Sequence, residues 1–165
     1  MPLNAPPVLD LDNARFITGA VSINVAACRS GGFPALVRGL GCRLSADRST
    51  VTLLLRESAA AEVLEAVRRN GLIAAVFSDP PTHRTLQLKG VDAMVLRPEA
   101  GDVELAAHYC DQFAAVLLPF GHEVPMVRAV LACRPDDLAT VRFTPSSAFS
   151  QTPGPQAGEP LAGAR

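Results

Sequence analysis

Alternating apolar side chains predict strands in the first third of the chain. From 21 to 27 every second residue is apolar, beginning with Val21 and Ile23, and most of the intervening residues are small or polar. A period of two is typical of a half-buried strand, and Ser30, Gly31 and Gly32 then predict a hairpin turn. The expected ranges are a short helix at 10–18 and strands at 21–27, 34–44 and 51–55.

At Ser58 the apolar period lengthens to that of a helix. Ser58 is expected to cap a helix over 59–70, and Gly71 stands where a left-handed C-terminal residue is wanted. The continuous apolar run at 72–77 predicts a strand that is buried on both faces. The elements expected after it are a long alternating strand at 82–96, a helix at 102–118, a short helix at 124–131 and a last strand at 138–143.

The predicted order of elements favours a mainly β fold. Short hairpins and only one or two crossovers indicate an antiparallel sheet with flanking helices, curled into a small barrel, rather than a parallel nucleotide-binding sheet. The sequence contains no G-x-G-x-x-G or phosphate-loop pattern that would contradict this.

Prolines divide the chain into a domain and a tail. None of the 14 prolines falls within 35–79, 82–97 or 99–118, which are the stretches expected to hold regular structure. We therefore expect one domain at 1–150. The tail at 151–165 is rich in Pro, Gly and Ala, a composition typical of disorder.

Composition excludes several classes of partner. The 165 residues carry 15 Lys and Arg against 16 Asp and Glu, so the net charge is −1 and no basic surface for nucleic acid or an anionic membrane is expected. The longest nearly apolar run, 113–121, is too short to cross a bilayer, and the first residues lack a signal peptide, so a cytoplasmic protein is expected. Four cysteines without a C-x-x-C pair favour reduced thiols over a zinc site.

The long strand predicted at 82–96 carries a line of hydrogen-bonding side chains. Because successive strand side chains point to opposite faces, four polar residues should share one face, while Arg84, Leu86 and Leu88 share the other. Such a line suits an elongated polar ligand, and the alternative is an ordinary solvated strand face. Its members are His83, Thr85, Gln87 and Lys89.

Two further positions are candidates for ligand binding. Arg38 is followed closely by Gly39 and Gly41, which allow a ligand to approach the backbone, or else mark bulges in the strand. Arg56 and Ser58 lie where a strand meets a helix start, which is either an anion site or a capped helix with a surface arginine. The sequence shows no metal-ligand motif and no nucleophile elbow.

These motifs, in this order, resemble the pyridoxamine 5′-phosphate oxidase-like, FMN-binding split-barrel superfamily. The most specific are the strings H-R-T-L-Q-L-K-G at 83–90 and Q-T-P-G-P-Q-A-G at 151–158, and the similarity spans residues 10 to 160. The other matching segments are 22–27, 32–34, 38–42, 51–55, the Ala-rich helix and 73–78.

The resemblance implies a six-stranded antiparallel split β-barrel with flanking helices, which forms a homodimer and binds FMN between the subunits. It also implies a tail that is ordered to about residue 160. By the resemblance, the residues that hold the flavin phosphate, ribityl chain and ring are Arg38, Arg56, Ser58, His83, Arg84, Gln87 and Lys89. The flavin would supply the hydride chemistry, and the protein would orient it.

One departure from the family pattern affects the phosphate. The oxidases proper carry Ser-Arg-Lys at the helix start, whereas this chain has Ser58, Ala59 and Ala60. This departure argues against a true pyridoxamine 5′-phosphate oxidase. The leading hypothesis is an FMN-binding oxidoreductase-like protein that acts on a small-molecule substrate, which the sequence does not identify. The alternatives are a split-barrel haem or deazaflavin (F420) binder, with His108 and His122 as axial ligands of the haem, and a non-catalytic dimeric ligand-binding module.

Overall fold

Eight antiparallel strands form one sheet in the computed structural model, which describes residues 9–29 and 31–161. The strands are β1 (Ser22–Cys28), β2 (Pro34–Leu44), β3 (Val51–Arg56), β4 (Ile73–Ser78), β5 (Thr85–Gly90), β6 (Met94–Leu96), β7 (Leu138–Phe143) and β8 (Ser147–Ser150). Their spatial order is β6-β7-β3-β2-β1-β4-β5-β8. The helices are α1 (Leu11–Ile17), α2 (Ala61–Asn70), α3 (Asp102–Leu117) and α4 (Val124–Leu131).

Strand β2 joins the two halves of the sheet. Its first half pairs with β1 and its second half with β3, and the register shifts between Gly39 and Cys42. A Cβ atom on Gly39 would lie 2.5 Å from Cγ2 of Ile23, so only glycine fits where the strand bends. Gly39 and Gly41, on either side of Leu40, therefore lie in a β-bulge.

The two halves of the sheet approach each other across an apolar core. Phe77 and Phe143 are the largest fully buried side chains. A Cβ atom on Gly90 of β5 would lie 2.5 Å from Cδ2 of Phe143 on β7, although these strands are not neighbours in the sheet. The sheet is therefore curled so that β5 contacts the far half.

The predicted strand count and closure differ from the structure. The sheet has eight strands rather than six, and β6 and β8, at the two ends of the order, do not pair with each other in the described residues. The split-barrel prediction holds as an antiparallel curled sheet with flanking helices, and a closed six-stranded barrel is not confirmed.

Two of the predicted strands were wrong in detail. The segment 82–96 is not one strand, because the chain turns at 91–93, where the Ala93 amide donates to the Gly71 carbonyl at 2.9 Å. This turn sends β6 to β7, whereas β5 pairs with β4 and β8. The segment predicted as buried on both faces, now β4, alternates between buried and half-buried residues.

The helices begin and end largely as predicted. Gly71 closes α2 with φ of 67°, the left-handed conformation that glycine adopts at low cost. Ser58 does not cap α2, because the residue before the helix is Ala60 and no side chain caps it. Within the described residues, no helix combines the length and apolar character needed to cross a membrane.

Candidate functional site

The outer face of β2, β1, β4, β5 and β8 carries a row of aligned side chains. Arg38 lies opposite Asn24, which lies opposite Val76 on the other side of β1. Val76 in turn lies opposite Gln87, and Gln87 lies opposite Phe149. Because paired residues point to the same face, one side of this half-sheet presents both cationic and amide groups.

At the Arg38 end of this row the structure forms a cleft of about 360 Å³. Arg38 and Ser22 come from the sheet, and α3 and α4 supply an apolar wall. This volume lies within the usual range of small-molecule sites, which are mostly apolar with a few polar groups. The residues around the cleft are Ser22, Arg38, Pro80, Phe113, Leu117, His122, Met126, Val127, Val130 and Leu131.

Tyr109 fixes the helix that forms this wall. Its hydroxyl donates to the Val21 carbonyl at 2.7 Å, and its ring stacks on Phe113 with 5.7 Å between centroids. Tyr109 is 5% exposed, so this contact ties α3 to the start of β1. Phe113 is thereby held against the cleft.

Arg38 is the cation that faces the cleft. Its Nη1 donates to the Ser22 hydroxyl at 3.1 Å, and it forms no ion pair within the described part of the chain. An exposed guanidinium with most of its donors free is suited to a carbonyl, carboxylate or phosphate oxygen of a ligand.

The two residues expected at the phosphate are engaged by the chain itself. Arg56 donates to the Val130 carbonyl at 2.9 Å and to the Ala132 carbonyl, at the C-terminal end of α4. The Ser58 amide and hydroxyl donate to Asp137 at 2.8 and 2.6 Å. These two hydrogen bonds from Ser58 lower the pKa of the Asp137 carboxyl.

His83 and Arg84 lie outside the row of aligned side chains. His83 is in the turn before β5 with φ of 61°, and its amide donates to the Asp79 carbonyl at 2.8 Å. Arg84 forms an ion pair with Asp12 at 2.7 Å and lies 4.4 Å from the Phe16 ring centroid. Arg84 therefore ties α1 to the sheet.

Gln87 and Lys89 share the outer face of β5, as predicted. The Gln151 side-chain amide donates to the side-chain Oε1 of Gln87 at 3.3 Å. Lys89 Nζ lies 5.2 Å from the Phe149 ring centroid, and Lys89 borders a second, largely apolar groove of about 460 Å³ between β1, β4 and β5. The structure thus brings Arg38 and Gln87 into one row. Arg56 follows Leu55, which pairs with Gly39 next to Arg38, but the Arg56 side chain is engaged by the end of α4.

Three of the four thiols, those of Cys42, Cys110 and Cys133, have raised pKa values. Burial raises the pKa of the Cys42 thiol to about 12. Burial also raises the pKa of Cys110, assisted by Asp111, and the pKa of Cys133. A protonated thiol is a poor nucleophile, so these three cysteines act as packing residues at neutral pH.

Several residues of the site have no signal in the sequence. Phe113 and Met126 line the cleft, yet their helical spacing is that of any packed helix. Asp137 and Gln151 reach Ser58 and Gln87 from segments that lie 79 and 64 residues away. His122 lines the cleft, whereas His108 borders a separate cavity of about 140 Å³.

Comparison with known proteins identifies the fold. No family model matches the sequence, and no curated protein matches it either. Among solved structures, HupZ from Group A Streptococcus is 16% identical with a TM-score of 0.54, and the alignment covers 91% of this chain and 100% of that one. An F420 reductase is 15% identical with a TM-score of 0.51, covering 81% of this chain and 92% of that one.

A candidate pyridoxamine 5′-phosphate oxidase from Lactobacillus delbrueckii is 17% identical with a TM-score of 0.51, and the alignment covers 86% of this chain and 93% of that one. At this level of identity the likeness concerns the fold. The chain therefore has the fold of the pyridoxamine 5′-phosphate oxidase-like split-barrel proteins, and the resemblance noted in the sequence is confirmed at that level.

Proposed function

We propose that this chain is a homodimeric, flavin-type cofactor-binding protein of the split-barrel class, with oxidoreductase activity on a small-molecule substrate. The observation that carries the proposal is the cleft of about 360 Å³, in which Arg38, which has no ion-pair partner among residues 9–29 and 31–161, faces an apolar wall. A flat heteroaromatic ring with polar edge atoms matches this combination of surfaces.

Each side of the cleft has a distinct part in this proposal. Phe113 and Met126 would contact the ring faces and exclude water, while the Arg38 guanidinium would donate to an oxygen at the ring edge. Gln87, in the same row, offers an amide to a polyhydroxyl chain. A bound flavin supplies hydride transfer, and the side chains set its orientation.

The phosphate of FMN fits the residues less well than the ring. Arg56 donates to the end of α4 and Ser58 donates to Asp137, so both are engaged where the resemblance implies a phosphate. FMN binding therefore depends on Arg38 and on the outer-face residues Gln87 and Lys89 rather than on the start of α2.

The absorption spectrum of the purified protein tests this function. We expect a flavin band at roughly 450 nm, as a property of the cofactor, either as isolated or after incubation with FMN or riboflavin and removal of the unbound compound. Bound F420 would give a deazaflavin band at shorter wavelength. Arg38→Gln should weaken flavin affinity about tenfold, the value of one charge-assisted hydrogen bond at a partly exposed site. Quenching of flavin fluorescence measures this affinity.

Arg69→Gln is the matched control for Arg38→Gln. Arg69 is an exposed arginine on α2 that pairs with Glu65 at 2.8 Å, and it does not line the cleft. Its substitution should leave flavin affinity unchanged. A colourless protein that takes up none of the three flavin-type compounds would contradict the proposed function.

A haem-binding protein is the second candidate, because His122 and Met126 line the same apolar cleft. Imidazole and thioether groups are both axial ligands of haem iron. His108 borders a different cavity, so only His122 of the two predicted axial ligands remains. A Soret band that His122→Ala abolishes would favour this candidate over a flavin.

The homodimer is proposed from the apolar residues exposed on the outer face and at its border. Leu36 is 70% exposed and shares its face with Arg38, and Phe33 is 98% exposed in the turn before β2. Leu72 and Val91 are also exposed, beside the groove next to β4 and β5. A contiguous apolar surface with a polar border is typical of protein interfaces.

A further inference from the structure

A carboxylate of the chain occupies the anion position before α2. Asp137 accepts the Ser58 backbone amide at Oδ1, at 2.8 Å, and the Ser58 hydroxyl at Oδ2, at 2.6 Å. Both oxygens of the carboxylate are used, as the oxygens of a bound phosphate would be. Ser58 therefore has no donor left for a second anion.

The backbone holds Asp137 in this position from both sides. Asp137 ends a short 3-10 turn, Pro135–Asp137, and its own amide donates to the Arg134 carbonyl at 3.0 Å. Its carbonyl accepts the Glu57 amide at 2.7 Å, next to Ser58. These contacts continue the pairing of β3 with β7, in which Arg56 lies opposite Leu138.

Nearby charges also disfavour a second anion. Glu57 and Asp136 are exposed neighbours of Ser58 and Asp137 in the sequence. Arg56 donates to the carbonyls of Val130 and Ala132, and Arg134 forms an ion pair with Asp136. Both guanidinium groups keep their positive charge and help to lower the pKa of the Asp137 carboxyl. The three carboxylates Glu57, Asp136 and Asp137 outnumber these two arginines, so the charge around Ser58 is negative in sum.

We propose that Asp137 is a specificity-determining residue that closes the anion position at Ser58, so that the protein selects a flavin-type ligand without a phosphomonoester at that point. This inference rests on the proposed function for the identity of the ligand. The closure at Ser58 itself is a property of the chain, and it is tested separately.

The first test measures inorganic phosphate at Ser58 by NMR of the 15N-labelled full chain. The Ser58 amide of the wild type should not shift as phosphate is raised to tens of millimolar, whereas in Asp137→Ala it should shift and saturate. Asp136→Ala is the control, because Asp136 is an adjacent carboxylate that pairs with Arg134 and does not contact Ser58. The control should behave as the wild type.

Two results of this titration would overturn the proposal. One is a saturating shift of Ser58 in the wild type, and the other is an Asp137→Ala protein that is as unresponsive as the wild type. The amide spectrum itself reports whether the variant is folded. If the alanine variant is not, Asp137→Asn, which keeps the shape and removes the charge, takes its place.

The second test compares riboflavin with FMN, which differ by the phosphate. The wild type should bind the two with dissociation constants within about fivefold, and Asp137→Ala should shift the preference towards FMN by about tenfold, the value of one charge-assisted hydrogen bond. A larger wild-type preference for FMN that Asp137→Ala leaves unchanged would overturn the specificity role. If the wild type bound none of riboflavin, FMN and F420, the proposed function would be overturned instead. The phosphate titration would still show whether Asp137 closes the anion position at Ser58.

Discussion

At the scale of single residues, the most buried carboxylate of the described part of the chain accepts three hydrogen bonds. Asp102 is 1% exposed at the first position of α3. It accepts from Arg43 Nε at 2.7 Å, from Arg43 Nη2 at 3.4 Å and from the Glu99 amide at 2.8 Å. The hydrogen bond to Asp102 is the main reason why the pKa of Arg43 is raised. This pair joins β2 to the helix that forms the cleft wall.

We expect Asp102→Ala to lower the free energy of unfolding by about 3 kcal/mol, because it leaves Nε of the half-buried Arg43 and the Glu99 amide without their acceptor. Arg43 Nη2 keeps only its ion pair with the exposed Glu99 carboxylate. Urea denaturation at fixed protein concentration measures this change. Asp111→Ala is the control, since Asp111 pairs with Arg128 at 2.9 Å and both side chains are 58% exposed. An exposed pair contributes at most about 1 kcal/mol, so equal effects of the two variants would contradict the structural role of Asp102.

Contacts between residues that are far apart in the sequence, such as these, could not be predicted from the sequence. The pattern at 83–90 predicted the side-chain direction of Gln87 and Lys89, because it follows from strand alternation alone. The partners of Arg56, Ser58 and Arg84 depend on α4, the 3-10 turn before β7 and α1, which approach from distant parts of the chain. No local rule specifies such contacts.

At the scale of elements, the hydrophobic period and the turn residues predicted the bounds of the strands better than they predicted which strands pair. Strand β2 was predicted with the bounds that it has, Pro34–Leu44. The break between β5 and β6 was missed, because alternation continues through 91–93 while the chain turns there to pair with β7. Gly90 and Asp92 are residues that favour turns, but the direction of this turn depends on the contact of Ala93 with Gly71.

The tail is a second element that composition alone described poorly. Beyond β8 the chain turns back, so that the Gly158 amide donates to the Ser150 carbonyl at 2.7 Å and the Leu161 amide donates to the Ala148 carbonyl at 3.0 Å. Gln151 donates to the Thr85 carbonyl at 2.8 Å. The tail thus covers the edge strand β8, which would otherwise expose unpaired backbone groups.

We expect the amides of Gln151, Gly158 and Leu161 to exchange with deuterium more than about tenfold slower than an unfolded chain, because each is hydrogen-bonded. Native-state exchange followed by NMR measures this. Thr152→Ala removes the acceptor of the Thr85 amide, which donates to the Thr152 hydroxyl at 3.0 Å, and should selectively accelerate exchange at Thr85. If all three tail amides exchanged at the rates of an unfolded chain, the tail would be disordered, as its composition indicates.

At the scale of the whole molecule, one face of the curled sheet remains open to a partner. The buried positions of β1, β4 and β5 point into the core, and their outer positions are only half-buried or exposed. The row from Arg38 to Gln87, the cleft and the groove beside Lys89 all lie on or beside this face. Self-association through it would enclose the candidate site between two subunits.

The proposed homodimer is best tested at Leu36, which lies on this face opposite Ala26 of β1. Leu36→Glu places a charge on a 70% exposed apolar position two residues from Arg38. We expect this variant to be a monomer in sedimentation velocity, because burying an unpaired carboxylate in the dimer interface is strongly unfavourable. Leu11→Glu makes the same change at a 62% exposed position on α1 and should leave the dimer intact.

A wild type that sediments at the mass of one chain would contradict the dimer. If the Leu36→Glu protein remained dimeric, the interface would lie elsewhere than on the outer face at Leu36. Loss of flavin binding together with dissociation would show that the cofactor needs both subunits.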